Sequence, residues 1–146
     1  MSSEVQSLEV SYFVYMTEDE ERIRAALVSL LGAQLQEERQ EAEGHFGNKI
    51  VWVRLRAVGE EASAALAMIV SRMSQEERRA VLGDLGASLD EHNALYIRLS
   101  KQAVVARGDA VLAPSDPVRV RVKPRAHLVK GDPARFYSRL LEVPTG

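Results

Sequence analysis

The segment from residue 118 to residue 123 constrains the fold more than any other stretch of the chain. Three valines alternate there with three cations, in the order Val118, Arg119, Val120, Arg121, Val122, Lys123. Successive residues of a strand point to opposite sides, so this pattern predicts a strand with one apolar face and one charged face. Sheets built from such strands are typically antiparallel, and their apolar face must be covered.

Other segments of the chain can supply the remaining strands and the cover. Alternating apolar residues predict strands at 8–16, 50–57 and 95–99, with a charged candidate edge strand at 35–43. Gln102 to Ala106 is predicted to extend the strand at 95–99 or to form a short strand of its own. Capping signals predict one helix that follows Thr17 and ends at Gly32, and another helix that follows Ser74. An apolar stripe predicts a helix over 62–73, and an Asp-Pro pair opens a final one at Asp132.

The resulting order, β-α-β-β-α-α-β-β-α, predicts an α+β fold. We expect two layers, with a mainly antiparallel sheet of four to five strands and helices packed on one face. A length of 146 residues is usual for one domain, so a single domain over residues 1–146 is predicted. The N-terminus does not resemble a secretory signal, and no apolar run reaches the length of a membrane span. We therefore predict a cytoplasmic location and no membrane partner.

Motifs for catalysis, metals or cofactors are not recognisable in the sequence. The chain has no cysteine, which excludes disulfides and thiolate chemistry. Its three histidines, His45, His92 and His127, are too scattered for a metal-ligand motif and are interpreted as surface or turn residues. The acids from Glu18 to Glu21 fit the first turn of a helix, where they complement the helix dipole. We predict a protein without catalytic residues, metal or cofactor.

Charge is distributed unevenly along the chain. Residues 1–48 carry ten acids and three Lys or Arg, a net charge of −7, whereas residues 98–139 carry ten Lys or Arg and three acids, a net charge of +7. Within the second region, Arg119, Arg121 and Lys123 form one row, which Arg125 continues beyond Pro124. The row is interpreted either as an anion-binding surface or as a solvated face that acids such as Glu37, Glu38 or Glu41 neutralise.

Aromatic residues suggest a second kind of RNA contact beside the basic residues. Trp52 shares a strand face with Arg54 and Arg56, and Phe13 and Tyr15 lie on the nominal outer face of the first strand. Rings on a basic sheet face can stack with unpaired bases. The same rings are also compatible with packing beneath a helix or with a dimer contact.

Four sequence blocks resemble an archaeal family of RNA-binding proteins or predicted exosome subunits. The blocks are Thr17 to Glu21, Glu43 to Asn48 (Glu-Gly-His-Phe-Gly-Asn), Leu95 to Gln102 (Leu-Tyr-Ile-Arg-Leu-Ser-Lys-Gln) and Val118 to Lys123. The resemblance implies a fold like that of the large-subunit ribosomal protein that contacts 5S rRNA, and it implies an RNA-related function.

These observations lead to a non-catalytic RNA-binding accessory protein, linked to RNA processing or degradation. The candidate partners are RNA, the exosome or other RNA-processing proteins, and a second copy of the chain. The candidate RNA contacts are Arg119, Arg121, Lys123, Arg125, Arg54, Arg56, Trp52 and Lys101. The alternative is a protein-interaction or assembly module with no direct RNA contact.

Overall fold

In a computed structural model of the chain, the structure describes residues 4–44, 46–113, 115–125 and 131–141. Within these ranges, five strands form one sheet in which every neighbouring pair is antiparallel. The strands are β1 (Val5–Val14), β2 (Gln36–Glu43), β3 (Lys49–Val58), β4 (Leu95–Ser100) and β5 (Pro117–Pro124). Their spatial order is β2-β3-β1-β5-β4, so β1 is central and β2 and β4 form the edges.

Helices cover one face of this sheet. In the described ranges they are α1 (Glu20–Leu31), α2 (Gly59–Ser71), α3 (Gln75–Gly83), α4 (Leu85–Ser88), α5 (Lys101–Arg107) and α6 (Pro133–Leu141). Helix α2 packs on β1 and β3, and α1 packs against α2 and α5. In β1, β3, β4 and β5 about every second residue is buried beneath this layer, and Val118, Val120 and Val122 of β5 are fully buried.

The structure therefore confirms the predicted α+β class, with an antiparallel sheet and helices on one face. The charged segment at 35–43 is the edge strand β2. A single domain over residues 1–146 stays a prediction. The positions of His45 and His127 lie outside the described residues.

The prediction of a strand at Gln102 to Ala106 is wrong, because these residues belong to helix α5. The Ser100 hydroxyl accepts a hydrogen bond from the Ala103 backbone N–H, 3.1 Å away, and so caps the helix N-terminus. Gly108, at φ +68°, ends it. The neighbouring residues Ala103 and Val104 are both buried, a pattern that a helix permits and a half-buried strand does not.

The predicted start of α1 is also wrong. Thr17 is not the N-cap, because residues 15–18 form a turn and the helix begins only at Glu20. The N-cap is Asp19, whose carboxylate accepts a hydrogen bond from the Arg22 backbone N–H at 3.2 Å. Glu20 does not reach back to close a capping box; its carboxylate binds the Arg39 guanidinium at 2.6 Å.

Other helix signals are confirmed. Gly32 ends α1 with a positive φ of 57°. Ser74 caps α3, because its hydroxyl accepts a hydrogen bond from the Glu77 backbone N–H at 3.1 Å. The final helix follows Asp132, whose carboxylate accepts from the Arg135 backbone N–H at 3.1 Å.

Candidate functional site

The sheet face that the helices leave open carries an ordered array of polar and aromatic side chains, here called the open face. Directly paired residues lie side by side across an antiparallel sheet, about 4.5–5.5 Å apart. The register aligns two rows across β3, β1, β5 and β4. One row is Arg54, Ser11, Arg119, Arg98, and the other is Arg56, Glu9, Arg121, Tyr96.

Arg119, Arg121 and Lys123 share this face, as the alternation in β5 predicts. Arg119 is exposed, while Arg121 and Lys123 are half-buried. Arg121 is engaged by its neighbours: its Nε donates to the Tyr96 hydroxyl at 3.0 Å, and its Nη2 lies 3.4 Å from the Asp90 carboxylate. Burial alone would lower the pKa of Arg121, but Tyr96 and Asp90 raise it, so the guanidinium stays charged.

Glu37, Glu38 and Glu41 do not neutralise this row, because they form ion pairs with other cations. Strands β3 and β1 separate β2 from β5, so Glu37, Glu38 and Glu41 cannot lie beside the row. Instead Glu37 binds Arg24 at 2.6 Å, Glu41 binds Lys49 at 2.6 Å, and Glu38 pairs with Arg54. The interpretation in which these three acids neutralise the basic row is therefore wrong.

Three cations of the open face have no carboxylate partner among the described residues: Arg98, Arg119 and Lys123. Arg98 and Arg119 are moreover directly opposite each other in the β4–β5 ladder. Like charges in this position repel and destabilise the strand pairing. The arrangement costs stability in the free protein and would be relieved by a bound anion.

Arg98 was not among the residues predicted from sequence, although the signal was present. Leu95, Ile97 and Leu99 point inward by alternation, which places Tyr96 and Arg98 on the outer side of β4. What the sequence does not show is that β4 pairs with β5 and thereby brings Arg98 beside Arg119.

The predicted residues of β3 lie on the open face but are already paired. Arg54 forms an ion pair with Glu38 and sits over the Trp52 ring, with 5.6 Å between its Cζ and the ring centroid. Arg56 lies 3.4 Å from the Glu9 carboxylate. These cations are therefore poorer candidates for binding an anion than those of β4 and β5.

Lys101 was predicted as an RNA contact, but its side chain is buried. Its side chain is only 5% exposed, and its Nζ donates to the Phe13 carbonyl at 2.7 Å. The same ammonium lies 3.0 Å from the Glu18 carboxylate and 2.9 Å from that of Asp116. A buried cation held by two carboxylates has a structural role and cannot reach an external phosphate.

Arg125 lies just beyond β5 and is half-buried. Its backbone N–H donates to the Glu4 carbonyl at 3.2 Å, which anchors the chain after the strand. The continuation of the basic row by the Arg125 side chain stays a prediction.

Exposed aromatic rings accompany the cations. Phe13 is 40% exposed and Tyr96 41%, and Tyr15 lies beside Phe13 with 6.4 Å between ring centroids and 27° between ring planes. Trp52 pairs with Phe13 across the β1–β3 ladder and is half-buried. The open face thus combines ring surfaces with positive charge.

The described residues contain no cluster of His, Asp or Glu side chains suited to hold a metal ion. Within the same ranges, no helix has both the length and the apolar composition that crossing a lipid bilayer requires.

Fold and surface together define an α+β protein with an antiparallel sheet, one face of which is open, basic and aromatic. The chain belongs to the protein family described as RNA binding, whose model matches residues 7–124. It is 26% identical over 133 residues to "RNA-binding protein PAB1135" of Pyrococcus abyssi, a match covering 87% of this chain and 86% of that protein. It is also 26% identical over 105 residues to "Uncharacterized protein MJ0213" of Methanocaldococcus jannaschii, covering 67% and 70%.

Solved structures of archaeal proteins share the fold. Mth689, a DUF54 protein from Methanothermobacter thermautotrophicus, superimposes with a TM-score of 0.75 at 26% identity, covering 94% of this chain and 98% of that one. Protein AF2318 from Archaeglobus fulgidus gives the same TM-score at 22% identity, with 93% and 99% covered.

Proposed function

We propose that this protein binds single-stranded RNA on the open face of its sheet and acts without cleaving it. The observation that carries the proposal is the set of cations without a carboxylate partner in the described residues: Arg98, Arg119 and Lys123. Phosphate groups would neutralise these side chains and relieve the repulsion between Arg98 and Arg119. Release of counterions from the RNA would supply much of the binding free energy.

The exposed rings favour single strands over duplexes. Phe13 and Tyr96 present ring surface beside the cations of β5 and β4. Bases of an unpaired strand can stack on such rings, whereas bases of an A-form duplex are stacked on one another and cannot do so. The open face offers both kinds of contact that a single strand needs.

The β4–β5 side of the open face would contribute more to RNA binding than the β3 side. Arg98, Arg119 and Lys123, with Arg121 and Arg125 beside them, would provide the phosphate contacts. Arg54 and Arg56 are held by Glu38 and Glu9, so they would contribute less, and Trp52 would add ring surface. Lys101 would have no direct part.

Three carboxylates of the open face are held in ion pairs. Glu9 pairs with Arg56, Glu38 with Arg54, and Asp90 binds Arg121. A carboxylate held in this way is poorly suited to take up or donate a proton at neutral pH. We therefore propose an accessory role in RNA processing or degradation, in the cytosol, with the exosome or other RNA-processing proteins as partners.

The alternative, an assembly module that dimerises through its exposed rings, is less well supported for the open face. A two-fold dimer apposes the same surface of both copies. Arg98, Arg119 and Lys123 of one copy would then face the same cations of the other. An anion between the copies would be needed to offset that repulsion.

The proposal is tested by the salt dependence of RNA binding. The probe is fluorescein-labelled oligouridine of about nine nucleotides, a length within the site sizes of single-strand-binding folds. Changing Arg98, Arg119 and Lys123 together to Gln should weaken binding. It should also flatten the slope of log affinity against log salt by about two units, roughly 0.7 for each phosphate that the variant no longer neutralises.

A matched control removes the same charge from the helical layer. Arg72, Arg79 and Arg135 are exposed there, and changing all three to Gln should leave the slope within about half a unit of the parent. Arg54→Gln alone should flatten the slope less than Arg119→Gln, because Glu38 already neutralises Arg54. If the open-face and helical triple variants lost the same affinity for oligouridine, only net charge would matter. Absence of oligouridine binding by the wild type at low salt would refute the proposal.

A further inference from the structure

A small pocket lies on the open face where β1 ends and β5 begins. Its volume is about 220 Å³, and Phe13, Tyr15, Trp52, Asp116 and Arg119 line it. Pockets for drug-sized ligands measure roughly 300–1,000 Å³, so this pocket suits a single ring system. Residues Tyr12, Ser11 and Pro117 complete the lining, which thus combines aromatic residues with one cation and one carboxylate.

Asp116 is the unusual member of this group. Its backbone φ is +43°, a conformation that residues other than glycine adopt only at a cost. Its Oδ2 lies 2.9 Å from the buried ammonium of Lys101, which fixes the carboxylate and offsets its charge. Its Oδ1 accepts no hydrogen bond from the described residues, and the side chain is 45% exposed. Asp116 thus presents an anchored acceptor to the pocket.

An anchored carboxylate distinguishes the four bases by their Watson–Crick edges. Guanine presents two adjacent donors, N1–H and the N2 amino group, which one carboxylate can accept together. Adenine and cytosine each present one donor beside an acceptor nitrogen, and uracil presents one donor between two carbonyl oxygens. The acceptor nitrogens and carbonyl oxygens would face the carboxylate without a hydrogen bond, which is unfavourable.

We propose that this pocket is a base-binding subsite that selects guanine within a single-stranded RNA. The inference rests on the proposed function and adds base specificity to it. The base stacks on the exposed ring surface of Phe13 and Tyr15, its donor edge meets Asp116, and Arg119 contacts the adjoining phosphate.

The first test uses the wild-type protein and five RNAs. The parent is oligouridine of about nine nucleotides, and the others carry one central guanine, adenine, cytosine or inosine. The RNA with guanine should bind at least about five-fold more tightly than oligouridine, the lower range for a bidentate contact to a base. Inosine lacks the N2 amino group, so the RNA that contains it should lose most of that gain.

The second test changes the acceptor. Asp116→Asn replaces one acceptor by a donor, so the preference for guanine should disappear while affinity for oligouridine changes less than about two-fold. Lys101 keeps Glu18 and the Phe13 carbonyl as partners in that variant. Asp109→Asn is the matched control, because Asp109 is 43% exposed, is paired with Arg107 and lies outside the pocket. It should keep the preference.

The outcomes separate this inference from the proposed function. Tight binding of oligouridine without preference for guanine would overturn the guanine subsite and leave RNA binding intact. A preference that survives in Asp116→Asn would show that another group reads the base. Failure of all five RNAs to bind would overturn both claims.

Discussion

Lys101 shows how one side chain holds several parts of the site together. Its ammonium joins the end of β1 through the Phe13 carbonyl, the turn before α1 through Glu18, and the loop before β5 through Asp116. It also lies 5.1 Å from the centroid of the Tyr15 ring. Burial of this cation is tolerated because two carboxylates and a carbonyl oxygen surround it.

Replacing this cation should therefore affect stability more than binding. Lys101→Met keeps most of the apolar stem but leaves Glu18 and Asp116 without their cation. We expect the free energy of unfolding, measured by urea denaturation, to fall by about 2 kcal/mol. The folded variant should bind oligouridine within about two-fold of the parent, because the ammonium is buried. A variant of unchanged stability that had lost oligouridine binding would return Lys101 to the contact surface.

Sequence reasoning could predict the basic row but not the role of Lys101. Alternation with buried valines is a local signal, and it placed Arg119, Arg121 and Lys123 on one face correctly. The burial of Lys101 depends on Glu18, which is 83 residues away in the chain. No local pattern reports a contact of that sequence separation.

The two glycines of the β2–β3 hairpin, Gly44 and Gly47, have different structural roles. Gly47 has a positive φ of 75°, a conformation that favours glycine, whereas the φ of Gly44 is not positive. Gly44 fits for a different reason: a Cβ there would lie 3.0 Å from the Ile50 side chain and 3.2 Å from the Asn48 carbonyl oxygen, so these neighbours would have to shift. Sequence identifies a glycine, but the structure decides which property of glycine is used.

At the scale of elements, the order of strands determines which charges meet. The sequence predicted four of the strands from their period of two and β2 as a charged candidate edge strand. It did not predict that β1 would lie between β3 and β5, and this placement separates the acids of β2 from the cations of β5. The order of the strands therefore explains why no acid of β2 neutralises Arg98, Arg119 and Lys123.

Turn 90–94, which leads into β4, is held by one carboxylate. Asp90 accepts hydrogen bonds from the backbone N–H groups of His92 at 2.8 Å and Ala94 at 3.0 Å, and it also binds Arg121. Partial burial alone would raise the pKa of Asp90, but these backbone donors and the Arg121 guanidinium hold that pKa below its usual range. Asp90 thus fixes the turn and the position of Arg121.

This lowered pKa predicts a pH dependence of stability. A carboxyl group whose pKa is lower in the folded state stabilises the fold above its unfolded pKa of about 4, and that contribution is lost as the pH falls through the folded pKa. Asp90→Asn should be less stable than the parent by about 1 kcal/mol at neutral pH. The difference should shrink below about pH 4, as urea denaturation at several pH values would show. A difference that stays constant into strong acid would contradict this account.

At the scale of the whole molecule, the two faces of the sheet differ in composition. The helix-covered face holds the apolar core, so substitutions on the open face should leave that core undisturbed. The charge asymmetry of the sequence also has a spatial counterpart. The acidic strand β2 is at one edge of the sheet, and the basic strands β5 and β4 form the other side. The strand order therefore places the acidic strand and the basic strands on opposite sides of the sheet.

The fold class was predictable because it depends on periodicity and on the apolar faces of a few segments. The surface was predictable only in part, because it depends on which strands become neighbours. Trp52, Arg54 and Arg56 were placed correctly on the outer face, yet their pairing with β2 could not be inferred from spacing. A fold like that of the ribosomal protein that contacts 5S rRNA stays a prediction.

The most direct test of the central claim is to map which face of the protein responds to RNA. Backbone amide chemical shifts of the ¹⁵N-labelled protein would be followed by NMR during titration with oligouridine at low salt. We predict that the largest changes cluster on the open face, at Phe13, Tyr96, Arg98 and Arg119, while the amides of α2 and α3 stay unchanged. Changes concentrated in the helical layer, with the amides of β4 and β5 unaffected, would contradict the account.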